Sequence, residues 1–247
     1  MNTPYITNDN HHFFVATCKN TNITKKAFSL LNRKINALIV KEPLVNNSLS
    51  HRINEEINVL TKVAIPTYTA YTESMLLKLL YTPYGFSEQE ITQILKQQQN
   101  KSIIEAWKKA VKISAEKSIG RKSNFYPNSI KTINKLIDTY LQEPSQLRNK
   151  IAHGQWIETF NKTNTALNKD ISRKVGTVTI VDINKWVEIF SLLSDLIKLS
   201  IQSPLKGYPE QYWEKVQSIE TIIKKKSTWN FNDKVKKLHI KRSYMNS

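Results

Sequence analysis

Residues 147–154 read LRNKIAHG, so an arginine, an asparagine and a histidine fall within six positions, with a glycine directly after them. Histidine is the side chain that exchanges protons near neutral pH. A guanidinium offers paired donors to phosphate oxygens and neutralises charge growing on them. Cleavage of a phosphodiester without a metal needs these two parts, a proton mover and an anion stabiliser. Asn149 can hold the phosphate or fix the imidazole. The same residue types also occur as simple complements to the dipole of a helix end, so their placement decides what they can do.

Pro144 suits a first helical position, where its missing N–H costs nothing. Gly154 suits the position after a helix, where positive φ is needed. Arg148 to His153 are therefore expected in the last two turns of a short helix. Asn149 and His153 are four apart and share a face. Arg148 is five from His153, about 140° around an ideal helix, so the guanidinium must bend back to meet the imidazole. Leu147 and Ile151 form a buried stripe, and the polar trio flanks an apolar seam that could meet its counterpart on a second copy of the chain.

The 247 residues suffice for one large domain or a domain with appendages. Five glycines, with abundant Lys, Ile, Leu, Asn and Gln, favour helices over a turn-rich β protein. A net charge of +17, from 37 basic against 20 acidic residues, favours a polyanionic partner. Nucleic acid leads; an acidic protein or an anionic membrane surface would satisfy the same charge. A single cysteine, Cys18, excludes an intrachain disulfide and a cysteine-based zinc site, and fits a reducing compartment. The N-terminal MNTPYITNDNHHFF lacks the basic-then-apolar pattern of a secretory leader. The longest apolar stretch, WVEIFSLLSDLIKLSI, is broken by Glu188, Asp195 and Lys198, so no spanning segment is expected. The expected location is the cytoplasm.

Helical periodicity runs from Asn22 to Val40 and ends at Pro43. Leu49, Ile53, Ile57 and Leu60 mark a second helix, with Pro66 as its expected stop. A third covers about 69–80, and Ser87 with Glu90 reads as a capping box. The stretch IIEAWKKAVKISAEK is helical, with Gly120 as its expected end, and Ile130 to Leu141 carry another stripe. Phe13-Phe14-Val15 could form a short strand. WIETF and VGTVTIV alternate and are β-branched, which predicts a β-hairpin. Asp182 is the expected cap of a long helix over 183–201. The basic tail is expected to hold one helix, about 208–225. The resulting expectation is a mainly all-α helical bundle with a small β-hairpin insertion before its last core helix. It divides into an N-terminal helical extension (1–65), a helical domain (66–204) and a basic tail (205–247).

LRNKIAHG resembles the signature of HEPN ribonucleases: an arginine, often with asparagine next, then four to six residues and a histidine. The order of features over about 66–204 is similar too. AYTESMLLKLL resembles the first HEPN core helix, the motif lies in the third, and an irregular or β insertion leads to the last. The resemblance implies a four-helix bundle that dimerises so that two motifs face one another in a composite site. It implies RNA cleavage without metal or other cofactor, by attack of the 2′-hydroxyl, in a toxin or antiviral effector checked by an antitoxin or regulatory partner. Carried over by position, Arg148 and His153 take the catalytic pair and Asn149 the polar support. HEPN toxins paired with nucleotidyltransferases often carry a tyrosine two residues after the histidine; here Gln155 stands there.

Lys150, Gln155 and Trp156 are the expected RNA contacts: Lys150 to phosphate, and Trp156 as a stacking platform if it is not packed in the core. Glu73 could face the motif and pair with Arg148 or His153. His11-His12 has no companion ligands at metal spacing. The expected activity is a homodimeric endoribonuclease acting on single-stranded or loop RNA. The alternative is a non-catalytic RNA- or protein-binding module of the same fold. A DNA-binding regulator ranks last, because no helix-turn-helix is legible.

Overall fold

The computed structural model describes residues 8–119 and 125–245 as ten α-helices and one π-helical turn. The all-α expectation therefore holds. Helix α1 (Asn8–Ile39) packs along α2 (His51–Leu80); α3 (Glu88–Asn100) and α4 (Ile103–Ile119) follow. Helix α5 (Phe125–Ile137) continues through a π turn (Asp138–Gln142) into α6 (Glu143–Ala152). After a loop come α7 (Lys169–Thr177), α8 (Ile180–Gln202), α9 (Gly207–Ser227) and α10 (Phe231–Met245). At the centre, Phe190 of α8 meets Tyr68 and Tyr71 of α2 and Trp107 of α4 edge to face, with ring centroids 5.5–6.1 Å apart. This is the geometry that aromatic quadrupoles favour.

Several elements differ from the sequence expectation. Phe13-Phe14-Val15 lies inside α1, not in a strand. Pro66 does not stop a helix: α2 runs through it for 30 residues. An interior proline costs about 3 kcal/mol, but fully buried Ala64, Ile65 and Tyr68 anchor both sides of it. The boundary drawn at 65/66 thus falls in mid-helix, and Ile35, Ile39, Ile53 and Ile57 share one core with Tyr68, Trp107 and Phe190. The tail holds two helices, and its Tyr208, Tyr212, Val216, Ile219 and Val235 join the same core. The expected stop at Gly120 lies outside the described residues.

The β-hairpin is absent among the described residues; an isolated bridge between Phe160 and Leu167 stands where it was expected. Two caps explain this. Asn168 accepts the Ile171 N–H at 3.1 Å and starts α7. Thr179 and Asp182 form a reciprocal capping box that starts α8, so Asp182 is the third residue of the helix and Thr179 the cap itself. The alternating VTIV straddles the junction between two capped helices.

The motif helix is held in place by a proline and a tyrosine. Pro144 cannot donate to the carbonyl of Tyr140, four residues before it. The π turn spans this point, and the Tyr68 hydroxyl, fully buried, donates to that carbonyl at 2.7 Å. Burial, together with Tyr71 and Tyr140, pushes the Tyr68 hydroxyl well above the usual tyrosine value, so it stays a donor. Replacing Tyr68 with Phe would leave a half-buried carbonyl short of this donor. We expect a loss of about 1–3 kcal/mol, read as a lower urea midpoint at unchanged slope; a midpoint equal to the parent's would contradict this role.

Candidate functional site

The end of α6 is built by the residues that the sequence marks. Gly154, at φ +76°, takes the left-handed position after the helix. Its N–H donates to the Ile151 carbonyl at 3.0 Å, and the Gln155 N–H to the Lys150 carbonyl at 3.0 Å. These two bonds make a Schellman closure. An ideal Cβ at Gly154 would meet nothing within 4 Å, so the backbone angle and not crowding asks for glycine. His153 stands at the cap, exposed.

This helix end and the loop after it enclose an open cleft of about 890 Å³. From α6 it takes Gln146, Asn149, Lys150 and His153; from the loop Gln155, Asn161, Lys162 and Asn164; from the start of α7 Asn168 and Ile171. The lining therefore has six amides, two ammonium groups and one imidazole, and no carboxylate among the described residues. Its size falls in the ordinary range of ligand sites, about 300–1,000 Å³. The loop is tied down: the Gln155 side chain accepts the Phe160 N–H at 2.9 Å, Lys150 donates to the Phe160 carbonyl, and buried Thr159 bonds Ser172 and Asn168.

Asn149, Lys150, His153 and Gln155 thus come together. Arg148 does not join them. It turns toward α2, where its Nη2 pairs with Glu73 Oε1 at 2.7 Å, as the expected Glu73 contact allows. Within one chain the guanidinium and imidazole diverge, in keeping with the 140° between their positions. Both partners of the ion pair are about one-third exposed (33% and 36%), so the pair contributes at most about 1 kcal/mol. Leu147 and Ile151 are buried in this chain's own core, as the stripe predicts. Trp156 begins no strand: its indole N–H donates to the Ile151 carbonyl at 2.9 Å, and the ring packs partly on the core. His11 and His12 lie exposed on α1, and no group of three or more metal-ligating side chains gathers among the described residues.

Gln146, Asn161, Lys162, Asn164 and Asn168 were not singled out from sequence. For Gln146 a signal existed: with Asn149, Lys150 and His153 it completes an i, i+3, i+4, i+7 face. The loop amides had none, because their stretch reads as a polar connection between strands.

Lys62, on α2, is 4% exposed and ties α2 to the end of α7, the helix whose start lines the cleft. It donates to Asn58 at 2.7 Å and to the Val175 carbonyl in the last turn of α7 at 3.1 Å. Burial against neutral oxygens lowers its pKa from the ordinary 10.5. The unfolded chain then holds this proton more tightly, so this group's contribution to stability rises with pH between the lowered value and 10.5. Lys62→Met removes that gain. Urea unfolding at pH 7, 8, 9 and 10 should show the variant losing ground to the parent as pH rises; a constant difference would contradict the lowered pKa of Lys62.

No family model, curated protein or solved structure matches the chain. No helix among the described residues is long and apolar enough to cross a membrane.

Proposed function

We propose that the chain is a HEPN-type endoribonuclease that cleaves single-stranded or loop RNA without a metal, and that it serves as a toxin or antiviral effector under the control of a partner. The observation that carries this reading is the cleft at the end of the motif helix, in which His153, Asn149 and Lys150 line an open space free of carboxylates. Such a lining attracts a phosphodiester and offers it donors. The ribose 2′-hydroxyl would attack the adjacent phosphorus and the 5′-oxygen would leave, giving a 2′,3′-cyclic phosphate. His153 moves a proton in this exchange, and Asn149 with Lys150 holds the phosphate. Arg148 stabilises the charge developing on the phosphoryl oxygens.

Arg148 can serve that role by leaving Glu73, which costs at most about 1 kcal/mol, or by facing the cleft of a second copy. Dimerisation with opposed motifs, as the resemblance implies, would supply the second arrangement. The same ion pair favours one other reading, a module that binds RNA or protein and does not cut, with Arg148 serving only to join α6 to α2.

Purified wild type, Arg148→Ala and His153→Ala incubated with total RNA, with new ends mapped, separate the two. Cleavage by the wild type should persist in EDTA and fall by roughly 10²-fold or more in each variant. RNA retained but uncut by the wild type, or cut equally by all three proteins, would overturn the nuclease reading.

A further inference from the structure

The strongest unused feature beside the cleft is Phe160. Phe160 is 40% exposed, whereas Trp156, the aromatic side chain that the sequence offered for stacking, is turned inward to the Ile151 carbonyl. The main chain of Phe160 is unusually well fixed for a loop. Its N–H and C=O are held by Gln155 and Lys150, two side chains that line the cleft. It pairs with Leu167 across the bridge, and the next residue, Asn161, both lines the cleft and closes the turn by accepting the Thr165 N–H at 2.9 Å. An exposed aromatic residue is thus tied through its main chain to two side chains that line a cationic, amide-lined cleft, and its neighbour Asn161 lines that cleft too. Single-stranded nucleic acid is held by this combination, a positive groove for the backbone and a flat ring for a base.

We propose that Phe160 is the platform on which an unpaired nucleobase stacks while the cleft holds the neighbouring phosphate. The inference rests on the nucleic-acid reading above and narrows its ligand: a strand that carries unpaired bases, as opposed to a duplex or a bare polyanion. It also gives Lys150 a second task, since one ammonium group both lines the cleft and fixes the platform.

The test uses the full chain and a decamer of 2′-O-methyl RNA with 2-aminopurine at its centre, which has no free 2′-hydroxyl to attack. Phe160→Leu keeps apolar volume and removes the flat ring; Phe160→Trp restores it; Lys162→Ala removes a cleft charge. Phe160→Leu should weaken binding about 5- to 150-fold, the range expected for one base stack, and abolish quenching of the 2-aminopurine. Phe160→Trp should restore both. A decamer abasic at the central position should bind the parent about as weakly as the intact one binds Phe160→Leu. If Phe160→Leu binds and quenches like the parent while Lys162→Ala binds less, the platform is overturned and the cleft survives. If Phe160→Leu turns a dimer into a monomer in sedimentation and leaves quenching unchanged, the ring is a contact between copies, and the platform is again overturned. A parent that binds no decamer overturns the cleft reading and the platform together.

Discussion

The hydrogen bond from the Tyr68 hydroxyl to the Tyr140 carbonyl, 2.7 Å long, is the constraint on which the site depends. A proline four residues on denies that carbonyl its helical donor, and a half-buried carbonyl without a donor costs about 1–3 kcal/mol. Tyr68 in turn packs against Phe190 and Trp186, and its hydroxyl lies much closer to the Tyr140 carbonyl than to its other acceptor, the Trp186 carbonyl at 3.5 Å. The middle of the π turn is therefore pinned to the centre of the bundle. Everything C-terminal to it inherits that register: Leu147 and Ile151 face inward, Arg148 faces α2, and Asn149 with His153 faces the loop.

That register explains why one chain separates the two residues that the chemistry would join. Five positions along an α-helix point about 140° apart, and the Schellman closure at Gly154 leaves no frayed end to narrow that angle. The separation is nevertheless cheap to change. An ion pair that is one-third exposed is weakly held, while a bidentate contact between arginine and a phosphate is among the stronger charge-assisted bonds. Under the proposed function, Glu73 would be the resting partner of a guanidinium that turns to a phosphate in its own cleft or in that of a second copy.

Much of this was legible in the sequence because it rests on local chemistry. Gly154 and the Ser87–Glu90 box follow from spacing and caps, whereas the contact between Glu73 and Arg148, 75 residues apart, was one of several roles that the sequence left open. What was illegible came from competition between local and distant terms. Pro66 is a strong stop signal, overridden because the residues on both sides of it are buried. The β-branched alternation of VTIV lost to Thr179, Asp182 and Asn168, whose caps each supply about 1 kcal/mol. The cleft itself was hidden, since it exists only because the stretch expected to pair as a hairpin folds as an Asn-rich loop into α7.

The central claim is that RNA's own 2′-hydroxyl is the nucleophile at this cleft. The most direct measurement takes a short RNA that the protein cuts, replaces the one ribose at the cut site by deoxyribose, and identifies the product ends by mass. The account predicts a 2′,3′-cyclic phosphate from the parent RNA and no cleavage at the substituted position. Cleavage that continues there, or a product ending in a 3′-hydroxyl, would contradict it.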